Sequence, residues 1–176
     1  MENKNLEDLL FNAIKMEQNG YKFYAEAGKK AGTDVAKKTF EFLAENELLH
    51  IESIRKFYDT LKEKGEFPAL TFDNVEGGRM KDLTIFSENI SSLRDKVRPS
   101  DDDKKALEFA MDFENSGYKY YEKMLEDVKD EKLVKFLKFL LAEESRHFDI
   151  IQKTHSYITD SDNWFMYEED SFPQGG

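Results

Sequence analysis

The chain has 176 residues, enough for one well-buried core and too few for two large domains, and its net charge of −11 leaves no basic face for nucleic acid as the main partner. Charged residues make up 36% and hydrophobic ones 39%, with only 3 Pro and 9 Gly, a mix that favours helices with strongly charged outer faces. Cysteine is absent, which rules out disulfides, thiolate catalysis and any zinc-knuckle, iron–sulfur or rubredoxin-type centre built from these residues; a metal would have to be held by carboxylate and imidazole.

The first apolar stripe at helical spacing runs from about Leu6 to Ala31, through Leu6, Leu9, Leu10, Ala13, Ile14, Tyr21 and Tyr24. One acid, Glu17, interrupts it. Gly32 is expected to end this helix and Asp34 to cap the next. The second stripe, from about Val35 to Lys62, carries Phe40, Leu43, Ile51, Ile54, Phe57, Tyr58 and Leu61, and it contains Glu47 and His50. Residues 64 to 101 are broken by Gly65, Pro68, Gly77, Gly78 and Pro99 and are predicted to form a long crossover. A short helix is expected inside it from about Thr84 to Val97, with Ser87 as candidate cap. Ser100-Asp101-Asp102-Asp103 marks a helix start, with acids at the positive end of the dipole. The third helix runs to about Asp127 with Leu107, Ala110, Met111, Tyr118, Tyr121 and Leu125 on its stripe and Glu114 among them. Asp130 caps a fourth helix, from about Glu131 to Tyr157, whose stripe of Leu133, Phe136, Leu137, Leu140 and Ile151 includes Glu144 and His147. The tail, 159–176, is polar but holds Trp164, Phe165, Met166 and Tyr167. No apolar run is long enough to span a bilayer, and Met1–Asn5 carries no basic region leading into an apolar one, so the expectation is a cytoplasmic protein with no membrane partner.

A shift of 97 residues aligns the first helical pair with the second without a gap. Leu10/Leu107, Ala13/Ala110, Glu17/Glu114, Gly20/Gly117, Tyr21/Tyr118, Tyr24/Tyr121, Phe42/Phe139, Leu43/Leu140, Glu47/Glu144, His50/His147 and Ile54/Ile151 coincide. Amphipathic period alone would match Leu and Ala, but not Glu, His and a mid-helix Gly. The prediction is an all-α four-helix bundle of two repeated helical hairpins, with residues 1–158 as the bundle. With the pseudo-two-fold axis perpendicular to the bundle, the turns would lie at opposite ends and the crossover would have to run the bundle's length, about 40 Å for a helix of about 27 residues.

Glu17 and Glu47 stand at nearly equal distances from the first turn, and Glu114 and Glu144 from the second. Residues at i and i+3 share a helix face, so Glu47 pairs with His50 and Glu144 with His147. Four carboxylates buried together without cations would repel and protonate, whereas two divalent ions would balance them. Oxygen and nitrogen ligation suits iron or manganese, with zinc as a further occupant. The metal ligands expected are therefore Glu17, Glu47, His50, Glu114, Glu144 and His147. His155 lies outside this constellation and is assigned a structural role. Glu45 and Glu143 adjoin ligands but point about 100–200° away from them on the helix, and are left out. Tyr21, Tyr24, Tyr118 and Tyr121 fall one and two turns past the upstream Glu of each half, placed either to hydrogen-bond ligand carboxylates or simply in the core. Gly20 and Gly117 cost helix stability, about 1 kcal/mol each relative to Ala. They either leave room beside the metals for oxygen, peroxide or water, or serve close helix packing.

The strings Met16-Glu17-Gln18-Asn19-Gly20-Tyr21-Lys22-Phe23-Tyr24 and Ala44-Glu45-Asn46-Glu47-Leu48-Leu49-His50 resemble the rubrerythrin family within the ferritin-like superfamily, with the likeness spanning roughly residues 5 to 158. The resemblance implies a non-haem di-iron centre with two iron ions per subunit, and reduction of hydrogen peroxide or oxygen, or ferroxidase activity. It also implies a homodimer, and an external electron donor such as a separate rubredoxin or reductase. Two departures stand out. The cysteine-free chain lacks the rubredoxin domain of full-length rubrerythrins, and Gly117 replaces the extra carboxylate that follows the third-helix ligand there. The alternatives are an iron storage or delivery protein, which would need a hollow shell, and a helical interaction module with a structural or empty metal site.

Overall fold

The computed structural model describes residues 3–68 and 101–160, and within them the chain forms four helices: α1 (Asn3–Lys30), α2 (Asp34–Lys64), α3 (Asp101–Asp127) and α4 (Glu131–Thr159). The expected crossover helix and the aromatic tail lie outside the described residues. The helices pair as two antiparallel hairpins, α1 with α2 and α3 with α4, and the hairpins face each other as a ferritin-like four-helix bundle. No helix among the described residues is long and apolar enough to cross a membrane.

The helix ends follow side-chain chemistry. Thr33, not Asp34, caps α2: its backbone is extended (φ −119°, ψ 145°) and its hydroxyl accepts from the Ala36 N–H at 3.3 Å. Asp34 is instead the first helical residue, where its charge meets the helix dipole. Gly32 sits in the turn with its N–H donated to Asp103 Oδ1 (2.9 Å), while Thr33 Oγ1 donates to Asp103 Oδ2 (2.9 Å). One buried carboxylate thus ties the first turn to the start of α3. Gly65 ends α2 in the left-handed region (φ 67°), its N–H bonded to Leu61 O. Asp130 caps α4 as expected, accepting from the Lys132 and Leu133 N–H groups.

These contacts fix the topology. Asp103 places the start of α3 beside the α1–α2 turn. Lys132 Nζ donates to Phe67 O, which places the end of α2 beside the start of α4. The described ends, Pro68 and Asp101, therefore stand at opposite ends of the bundle, as a repeat of hairpins requires. The apolar core falls into two clusters. One gathers Leu6, Leu10, Ile54, Phe57, Leu61, Leu133, Phe136 and Leu137 toward the α2 C-terminus, where Phe57 and Phe136 stack. The other gathers Val35, Phe40, Leu43, Leu107, Ala110, Ile151 and Ile158 around the first turn. Between them lies a band of buried polar groups.

Candidate metal centre

That band contains all six predicted ligands. Each helix brings its residue to the same height from one of the four stripes: Glu17 from α1, Glu47 and His50 from α2, Glu114 from α3, Glu144 and His147 from α4. Their exposures lie between 0% and 2%, far below what single charged side chains tolerate without partners. His50 Nδ1 stands 3.4 Å from Glu17 Oε2 and 3.8 Å from Glu47 Oε2. His147 Nδ1 stands 3.4 Å from Glu114 Oε2 and 3.9 Å from Glu47 Oε1. Among the described residues three triads have donor atoms close enough together to hold a metal ion: Glu17–His50–Glu144, Glu47–Glu114–His147 and His50–Glu143–His147. Each draws residues from both hairpins, so a metal in any of them would clamp the halves together.

The two imidazoles stack, with centroids 5.2 Å apart and planes 18° from parallel. Phe42 meets His147 edge-on and Phe139 meets His50 in the same way, so the repeat extends to the aromatic walls.

Tyr24 and Tyr121, two of the four expected tyrosines, are fully buried and reach the site. Each crosses to the other hairpin: the Tyr24 hydroxyl donates to Glu114 Oε1 and the Tyr121 hydroxyl to Glu17 Oε1. Burial and the carboxylates around them, Glu114 nearest Tyr24 and Glu17 nearest Tyr121, hold both phenols well above their usual range, so they remain donors. Tyr21 is half-buried and Tyr118 is 37% exposed; neither makes such a bond.

The glycines admit the ligands themselves. A Cβ at Gly117 would lie 2.6 Å from Glu144 Oε2, and one at Gly20 would lie 2.7 Å from Phe113 Cε1 and 3.2 Å from Glu47 Cδ. The space beside Gly117 is thus taken by the Glu144 carboxylate, and that beside Gly20 by the Phe113 ring first and Glu47 next, rather than left for a small molecule.

In this arrangement the carboxylates share protons. Burial and the charge of Glu17 push the Glu47 carboxyl well above its usual range. Burial and the charges of Glu17 and Glu114 do the same to Glu144. Burial works against ionisation of Glu17 too, but the hydrogen bonds from Glu47, His50 and Tyr121 outweigh it and bring it to about 2. Glu114 is likewise lowered, with His147 as the opposing charge. Burial alone would lower His50, but Glu143 and Glu17 raise it to about 9.

Glu143 is the residue that sequence reasoning missed. The angle between neighbours on α4 points it away from Glu144, but toward α2, where it lies 3.9 Å from His50 Nε2 and donor-bonded by Arg146. A helical projection of α4 alone cannot show this, because the partner belongs to another helix; the Glu143–Arg146 spacing of opposite charges was the available signal. Glu45 is exposed and lies outside the site, and His155 pairs with Glu108 away from it.

The residues fit a metal site. Glu47 Oε2, Glu114 Oε2, Glu144 Oε1, His50 Nε2 and both ring nitrogens of His147 are buried without a hydrogen-bond partner. Such atoms are rare in folded proteins unless an ion or water completes them.

Comparison with known proteins agrees with this architecture. The family profile described as Rubrerythrin matches residues 8–155. Curated proteins give no match. The solved structure of a hypothetical protein from Pyrococcus furiosus is similar in fold, at 22% identity and a TM-score of 0.62, covering 88% of this chain and 90% of that one. With four repeated helices, buried Glu and His clusters that could bind metal, and a profile match over most of its length, the chain belongs to the rubrerythrin family.

Proposed function

We propose that this chain is a non-haem di-iron oxidoreductase that reduces hydrogen peroxide, or oxygen, with electrons from an external donor, and that Glu17, Glu47, His50, Glu114, Glu144 and His147 hold two iron ions. The observation that carries this reading is the convergence of all six residues in one buried layer, with donor atoms of Glu47, Glu114, Glu144 and His147 left unpartnered. Two ferrous ions bound there would supply the two electrons that, with two protons, convert peroxide to water.

The chain's own residues prepare that chemistry. Glu17 and Glu114 each have one oxygen held by a tyrosine of the other hairpin, Tyr121 or Tyr24, and the second oxygen turned toward a histidine. This fixes their orientation before a metal arrives, which is how outer partners tune ligands. Burial and the neighbouring carboxylates raise Glu47 and Glu144 well above the usual carboxylate range, so metal binding competes with protons there. Phe42, Phe139 and the two core clusters keep bulk water from the layer. The electrons come, on this reading, from an external donor such as a separate rubredoxin or reductase. A homodimer is the assembly that goes with this reading; iron storage would require a hollow shell.

The test is anaerobic loading with ferrous iron, sedimentation of the product, and stopped-flow mixing with peroxide and with oxygen. Two irons per chain, a small oligomer and rapid oxidation by peroxide are expected, with Glu47→Ala and Glu144→Ala losing iron. Full iron content in either variant, or a ferrous protein inert to both oxidants, defeats the proposal; a large shell that accumulates many irons turns it to storage.

A further inference from the structure

The repeat makes the six ligands equivalent in pairs, but it does not make their surroundings equivalent. Residue 46 of the first half corresponds to residue 143 of the second, and here Asn46 stands against Glu143. Each sits one position before its ligand Glu and belongs, by the two-fold relation, behind the histidine of the opposite hairpin. Glu143 does this: its carboxylate faces His50 Nε2 at 3.9 Å, on the side of the ring away from Glu17 and Glu47. Asn46 does not serve His147 in the same way. Its amide nitrogen donates to Phe42 O at 2.8 Å and its oxygen accepts from Arg146 Nη2 at 3.1 Å. Neither His50 Nε2 nor His147 Nε2 has a hydrogen-bond partner, so the difference is one of charge: the Glu143 carboxylate stands at 3.9 Å from His50 Nε2, where the other half offers the neutral Asn46. Arg146 makes the difference permanent. Its guanidinium holds Glu143 and Asn46 at once and lies over the Phe42 ring, and its counterpart in the first half is the exposed Leu49.

A carboxylate behind a metal-bound imidazole fixes the tautomer that leaves the inner nitrogen free and makes that nitrogen a stronger ligand. An imidazole without such a partner loses both effects. We propose that Glu143, clamped by Arg146, is a positioning residue that makes the two metal positions unequal, so that the Glu17–His50–Glu144 position fills before the Glu47–Glu114–His147 position. This rests on the two-metal reading above. Its consequence is an ordered site in a pseudo-symmetric bundle: a protein loaded with one equivalent holds a single metal on His50 rather than a mixture of half-filled forms.

The experiment is an anaerobic calorimetric titration of the metal-free full chain with Co(II), followed in parallel through the visible d–d bands. The natural chain should bind in two resolved steps, the first at least about ten-fold tighter. His50→Ala should abolish the tight step and His147→Ala should retain it. Glu143→Gln keeps the shape but removes the anionic acceptor; it should weaken the first step about 10–100-fold and leave the second within about threefold, so that the steps merge. Asn46→Asp keeps the acceptor for Arg146 and adds a charge behind His147, and should tighten the second step toward the first. Thermal melting of each metal-free variant checks folding, and if Glu143→Gln does not fold, the convergence of steps in Asn46→Asp decides alone. Two equal steps in the natural chain overturn the inequality while leaving the two-metal reading intact. No cobalt uptake overturns both. Equal weakening of both steps by Glu143→Gln shows a merely structural role and also overturns the proposal.

Discussion

Gly117 shows how closely single residues are matched at this site. Adding a methyl group there places carbon 2.6 Å from Glu144 Oε2, so the carboxylate must swing away. Because that oxygen ends a flexible side chain, the fold itself loses little, and Ala in place of Gly favours the helix by about 1 kcal/mol. Gly117→Ala is therefore expected to leave the metal-free melting temperature unchanged or slightly higher while lowering metal content, measured by elemental analysis after loading. A variant that melts higher and still binds two metals would show that the glycine serves packing only. The pairing of Gly20 with Gly117, and of each Glu and His with its counterpart, was legible because polar residues at matched helical positions do not repeat through amphipathic period. Glu143 was not legible, because its significance depends on which helix lies opposite α4.

At the scale of the helix, the start of α2 carries more than local capping. Thr33 accepts from Ala36 and donates to Asp103, so one hydroxyl both caps a helix and anchors the second hairpin to the first turn. Thr33→Ala should cost about 1–2 kcal/mol from the lost cap, with a further penalty from the lost hydrogen bond to buried Asp103. In a domain of this size that amounts to about 2–8 °C in melting temperature, followed by calorimetry. Asp34→Ala, which removes only a first-turn charge, should cost less than half as much; equal losses would restore Asp34 as the functional cap. Sequence chemistry marked a helix start at 33–34 correctly and chose the wrong residue, because Asp and Thr are both good caps and only the backbone's extended geometry at Thr33 separates them.

For the whole molecule, stability and metal content should be linked through pH. In the metal-free protein His50 is raised from 6.5 to about 9, so the stability it contributes is fully present below pH 6.5 and is lost as pH rises through 9. Glu47 and Glu144 are raised as well; the folded state keeps their protons where the unfolded chain has released them, and this too lowers stability as pH climbs above 4.5. Glu17 and Glu143, lowered to about 2, act oppositely, and their contribution disappears as pH falls from 4.5 toward 2. The metal-free melting temperature is therefore expected to peak between pH 4.5 and 6.5 and to fall by pH 9. Divalent metal at about 100 times its dissociation constant should add about 2.7 kcal/mol at neutral pH, roughly 5–10 °C, and less at acid pH where protons compete. A metal-free protein that melts higher at pH 9 than at pH 6.5 would contradict the proton arrangement described here.

The sequence by itself determined the helices, their pairing into two hairpins and the six residues that would meet, since each of these follows from periodicity along one chain segment and from the 97-residue repeat. Only the tertiary structure decided that Tyr24 and Tyr121 cross to the opposite hairpin while Tyr21 and Tyr118 make no such bond, that Gly117 makes room for a carboxylate, and that Glu143 comes within 3.9 Å of His50 on another helix. The physical reason is common to all three. A helix's own pattern specifies which face is buried, but the partner of a buried polar group lies on a neighbouring helix, and that neighbour is set by the packing of the bundle as a whole.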